Sequence, residues 1–213
     1  FTITLNGDEI GDVTVEAPGT FSLLVLSITK GFRHTSAIDA GNPALESVIA
    51  DIGDDIGADM SVEVIDNEGE YAVDGFQDAI PSTADAFQEY DAVVFHNTTG
   101  SVLNETQKSA FREYVETGGG YVGIHAGADT HKGWQWYDEE LVGATFVSHP
   151  SPQEAEIHVT DRTHPSTMHL DARWVREEEW YDFNRNPRGS THVLATVDER
   201  TYSGAGMDGQ QGR

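Results

Sequence analysis

The chain contains no cysteine, which excludes a disulfide framework, a thiolate metal site and a cysteine nucleophile. Lysine is nearly as scarce: Lys30, Lys108 and Lys132 stand beside nine arginines, and these 12 cations face 37 carboxylates for a formal charge of −25. A nucleic-acid partner needs a basic face to neutralise phosphates, and an anionic membrane surface repels such a chain, so both are excluded as partners. No apolar run approaches the roughly 18 residues of a membrane span. The longest, Phe21 to Ile28, has the length of a strand. An initiator Met is also missing, and with no signal-peptide pattern Phe1 is read as a processed or excised start.

What is present belongs to a globular protein. Hydrophobic residues make up 38% of the 213, and 20 aromatics are spread along the chain, so the acidity is not that of a disordered tail. Acid clusters at Asp51, Asp54, Asp55 and Asp59, at Asp138 to Glu140 and at Glu177 to Glu179 suit a salt-adapted, halophilic surface. At about 1 M salt their mutual repulsion is screened within about 3 Å. The expected setting is a cytoplasm rich in salt, with an extracellular one as the other option. An acidic face built for a basic partner or for cations is the competing reading of the same clusters.

The pattern along the chain predicts an α/β fold. Residues 1–20 alternate weakly and close on Pro18-Gly-Thr, which reads as a β-hairpin attachment or the end of a preceding domain. The nearly continuous apolar run from Phe21 suits a strand buried on both faces of a parallel sheet. A helix from about Pro43 to Ile56, strands at 61–66 and 91–96, a helix opened by Asn104 with Gln107, and a strand at 121–125 follow. This order predicts a doubly wound, mainly parallel sheet. Alternation at 154–161, 172–183 and 191–199 predicts antiparallel edge additions.

In open α/β sheets ligands bind beyond the carboxyl ends of the strands. Three strands here run into chemistry-bearing residues: Lys30-Gly-Phe-Arg33-His34, His96-Asn97-Thr98-Thr99, and His125-Ala-Gly-Ala-Asp129. Gly123-Ile-His125-Ala-Gly127 has the shape of a nucleophile elbow, in which flanking glycines permit a sharp turn that projects the central side chain. Here that side chain is an imidazole, which acts as base or acid near its ordinary pKa of about 6.5. A structural turn histidine is the alternative.

GGGYVGIHAGADT, WQWYDEELVGATFVSHPSPQEAEIHV, DRTHPST, EEEWYDFNRNPR and VLATVDERTY together resemble the ThuA-like (trehalose utilisation) family, within the class I glutamine amidotransferase-like superfamily. The resemblance covers roughly Phe21 to Tyr202. It implies a flavodoxin-like sheet over residues 21–213, a link to carbohydrate metabolism, and His125 in place of the amidotransferase cysteine, so no thiol-dependent glutamine hydrolysis. It also leads one to expect a further strand where GMDGQQGR stands, so the domain is expected to be incomplete at its C-terminus.

Further candidates are Trp134, Trp136 and Tyr137, either a platform for a sugar ring or a helix packed on the sheet. His149 is either a metal ligand or proton carrier, or a turn residue, and Glu179, Trp180 and Tyr181 offer a carboxylate and a stacking ring. His34, His96, His125, Asp129 and His149 would suit a divalent metal such as zinc if the fold assembled them. The expectation is an enzyme (lyase, isomerase or hydrolase) acting on a small-molecule carbohydrate or an oxidised sugar derivative. His125 and His34 would move protons, Asp129 would orient an imidazole, and His96, Asn97 and Thr99 would bind hydroxyls. A non-catalytic carbohydrate-binding or interaction module of a larger protein and a metal-assisted hydrolase are the alternatives.

Overall fold

The computed structural model describes the backbone at residues 2–5 and 8–12, and both backbone and side chains at 19–67 and 76–204. Pro18 of the expected turn and the GMDGQQGR stretch lie outside the described residues. Two short strands, β1 (Thr2–Leu5) and β2 (Asp8–Asp12), pair antiparallel as a sheet of their own. The chain falls into two compact units: Phe1–Thr98 with Val102–Ile124, and Thr99–Ser101 with His125–Arg213.

The first unit is built on a parallel sheet of β3 (Phe21–Ser27), β4 (Met60–Asp66), β5 (Ala92–His96) and β6 (Gly120–Ile124), in the order β4-β3-β5-β6. That order, second-first-third-fourth, is the flavodoxin-like one. β3 is central and nearly wholly buried, as its apolar run requires. On one sheet face Leu23, Val25 and Val94 pack against Leu45 and Ile49 of helix α1 (Thr35–Ile56). Phe95 turns to the opposite face, where it stacks on Phe111 of helix α3 (Glu105–Glu116) at 5.2 Å. Between β4 and β5 a single turn, α2 (Ala84–Phe87), is capped by Thr83.

The Asn104–Gln107 capping box forms as the spacing predicts. The start expected at Pro43 needs correction. Helix α1 begins eight residues earlier, at Thr35, and Pro43 lies inside it. Proline in a helix interior removes a hydrogen bond and is normally disfavoured. Here the preceding turns are held by Ile38, which is fully buried and donates its backbone N–H to His34.

The second unit starts with a 3₁₀ turn at His125–Asp129 and continues through a π-type turn at Trp136–Leu141. Its strands form two antiparallel sheets: β7 (Phe146–Ser148) with β10 (Asp182–Phe183), and β11 (Ala195–Val197), β8 (Gln153–Val159) and β9 (Arg173–Glu178) in the order β11-β8-β9. The strand expected at 172–183 is therefore interrupted. Residues 179–181 lie between β9 and β10, where the Trp180 indole N–H donates to the Gln153 carbonyl at 2.7 Å. Among the described residues no helix is long and apolar enough to cross a membrane.

Candidate active site

His125 follows β6 directly and adopts φ of 50°, the left-handed region that costs a residue with a Cβ about 1–3 kcal/mol. This is the sharp turn expected of the glycine-flanked segment. In the second unit the imidazole Nε2 lies 3.2 Å from the Glu179 carboxylate and 3.2 Å from the Tyr181 hydroxyl. One nitrogen cannot serve both partners in one state. With a proton it donates to Glu179; without one it accepts from Tyr181. The side chains of His125 and Glu179 are 20% and 24% exposed, so both are partly open to solvent.

A second imidazole shares the carboxylate: His149 Nε2 lies 3.8 Å from the same Glu179 oxygen, while its Nδ1–H donates to the Pro150 carbonyl at 2.8 Å. Tyr181 is wedged between rings, 4.6 Å from His125, 4.2 Å from Phe146 and 5.6 Å from His149. Burial, reinforced by the charges of Glu179, Asp129 and Glu178, pushes its phenol well above the usual range. Tyr181 therefore stays protonated and can only donate or accept as a neutral hydroxyl. Asp129 pairs with Lys132 at 2.5 Å, and the Lys132 ammonium lies 4.6 Å from the Phe146 ring centre. That contact places Asp129 on an ammonium rather than on an imidazole.

In the first unit the ends of β3 and β5, the point where the strand order reverses, carry a partly buried polar network. The His96 ring donates through Nδ1 to Asn42 at 2.8 Å, and the Ser27 hydroxyl donates to the same Asn42 oxygen at 2.8 Å. Asn42 passes the chain on to Asp66, which receives both arms of the Arg33 guanidinium at 2.8 and 3.0 Å. Burial lowers the His96 pKa against a smaller opposing effect of Asp66. With 4% of its surface exposed and its ring against Gly41, His96 is a packing and hydrogen-bonding residue. The role expected of it from the sequence was binding a substrate hydroxyl or a metal.

The other expected site residues are distributed as follows. Asn97 and Thr99 are buried, Asn97 with φ of 54°. His34 lies edge-on to Phe32 at 4.9 Å. Tyr137 is fully buried with its hydroxyl donating to the Gly127 carbonyl, and Trp136 is 6% exposed. Of the two readings of these rings, sugar platform or packing, the contacts present are packing ones: Tyr137 lies against Trp134 and His131, and Trp136 against Trp134. Trp180 packs near Tyr202, with ring centres 6.1 Å apart.

Lys132, Phe146, Asn42 and the Arg33–Asp66 pair escaped the sequence reading. The scarcity of lysine was the available signal for Lys132. A second acid–imidazole group in this unit, Glu156, His158 and Asp198, has ligand atoms within 4.8 Å of one another. Its charge is already met by Arg173 on Glu156 and by the two-pronged Arg200 on Asp198, so a cation there would have to displace guanidinium groups.

The family model described as trehalose utilisation, ThuA, matches residues 22–211. The chain belongs to the ThuA family. Two solved structures share the fold: a ThuA-like protein from Bacteroides uniformis (23% identity, TM-score 0.65, covering 90% of this chain and 73% of that one) and one from Parabacteroides merdae (19%, 0.63, 87% and 71%). No curated protein matches. The ThuA match spans both units, so β7–β11 are family structure as much as the parallel sheet is.

Proposed function

We propose that this ThuA-family protein is an enzyme of carbohydrate metabolism that acts on a sugar or an oxidised sugar derivative, with His125 as the acid–base group. The observation that carries this reading is the strained His125 held between the Glu179 carboxylate and the Tyr181 hydroxyl. When the imidazole takes a proton from a substrate hydroxyl or activated carbon, the resulting imidazolium lies against Glu179 and is stabilised there. Tyr181, relieved of donating to Nε2, has its hydroxyl proton available to an oxygen on which charge develops. Positioned proton transfer of this kind contributes about 10²–10⁴-fold to a rate.

His125→Ala is expected to abolish product formation in a panel of sugars and keto-sugars while leaving the melting temperature near that of wild type. Unchanged turnover would remove His125 from the mechanism. Sugar retention in calorimetry with no product from the wild type would identify a binding module instead. We further infer that the acidic excess is an adaptation to a salt-rich cytoplasm, supported by 37 acids against 12 bases.

A further inference from the structure

The second unit contains a cavity of about 230 Å³ that shares no residue with the His125 group. Its wall is apolar, formed by Val142, Ala144, Phe183, Val193 and Ala195, with Pro187 closing one side. The enclosure is fixed by hydrogen bonds. Arg185 donates to the carbonyls of Gly143 (2.7 Å) and Glu139 (2.9 Å), and the Thr191 hydroxyl donates to that of Pro187 at 2.6 Å. Gly143, with φ of 91°, lets Pro187 come so close that a Cβ would lie 2.9 Å from the proline ring.

Arg188 stands among the lining residues and is exposed. Asn186 holds its backbone by accepting the Arg188 N–H at 2.9 Å. Arg33, Arg112, Arg173, Arg176 and Arg200 each lie within ion-pair distance of a carboxylate. Arg162, Arg185 and Arg188 have no such partner among the described residues, in a chain where acids outnumber bases three to one, and of these three Arg188 is the one that lines the cavity. A cationic fork on an apolar cavity matches a ligand with the opposite arrangement, an apolar body carrying a single carboxylate.

We propose that this cavity is a binding site for a small organic monocarboxylate, its apolar part inside and its carboxylate on Arg188. A cavity of about 150 Å³ accommodates benzene. By proportion, about 230 Å³ takes roughly nine non-hydrogen atoms, the size of benzoate.

Titration with benzoate, followed by protein NMR, tests the site. Saturable shifts centred on Val193, Ala195 and Phe183 are expected, weakened about tenfold or more in Arg188→Gln. Benzamide, which has the same shape without the charge, should bind wild type no more tightly than benzoate binds the variant. Val193→Trp, with folding checked by its melting temperature, should abolish binding of both by filling the space. Shifts centred elsewhere, equal affinity for benzoate and benzamide, or an Arg188→Gln affinity equal to wild type would each overturn the proposal. Because Arg188 is exposed and lies outside the His125 group, Arg188→Gln is expected to leave sugar turnover unchanged.

Discussion

Gly41 on helix α1 offers a sharp test of the packing around His96. A Cβ at this position would lie 2.4 Å from Cε1 and 2.6 Å from Nε2 of the His96 ring, about 1 Å inside the roughly 3.5–4.0 Å optimum for such contacts. Neither side can yield easily. The ring is buried and tethered to Asn42, and the glycine lies in the second turn of a 22-residue helix. Overpacking of this kind costs about 1–3 kcal/mol, and moving the ring off Asn42 adds about 1 kcal/mol for the hydrogen bond. The gain in helix propensity from Gly to Ala returns about 1 kcal/mol. Gly41→Ala should therefore destabilise by about 1–3 kcal/mol, which for a chain of this length lowers the melting temperature by roughly 3–10 °C. A double-mutant cycle isolates the cause. In a His96→Ala background the clash is gone, and Gly41→Ala should be neutral or stabilising by about 1 kcal/mol. A variant as stable as wild type in the native background, or an equal loss in both backgrounds, would refute the contact.

Tyr181→Phe should lower sugar turnover by about ten- to a hundredfold while retaining stacking against Phe146; an undiminished rate would show that the hydroxyl takes no part. His96, whose folded pKa lies below the unfolded one, binds fewer protons in the native state. Its contribution to stability is therefore full above the unfolded value near 6.5 and is lost as the pH falls below it. Melting temperatures recorded between pH 7.5 and 5.5 should fall less steeply in His96→Gln than in wild type; parallel slopes would sink this assignment. Molar KCl should raise the melting temperature by screening the net charge of −25, and a melting point indifferent to salt would count against halophilic adaptation.

The parallel sheet was legible because its signals are local. An apolar run of the length of Phe21 to Ile28, bounded by turn residues, suits a buried strand, and Asn104 with Gln107 marks a helix start through bonds within one turn. Helix α1 was misplaced because proline chemistry is local too, whereas burial of Ile38, which holds the turns before Pro43, is decided by packing. The elbow at His125 was visible in its flanking glycines. The partners of that histidine were not identifiable, because Glu179 and Tyr181 lie 54 and 56 residues away and no spacing rule links them.

The sequence by itself determined the absence of cysteine thiols, the order of the parallel sheet's elements along the chain and the placing of an imidazole where a strand meets a turn. Tertiary structure alone decided how differently two strand-end histidines are surrounded. His96 and His125 both sit at strand ends. One is buried against Gly41 and neutralised into a hydrogen-bonded network; the other is twisted into left-handed backbone and left partly open between a carboxylate and a phenol. The difference is set by contacts between residues far apart in the chain, and those exist only once the chain has folded.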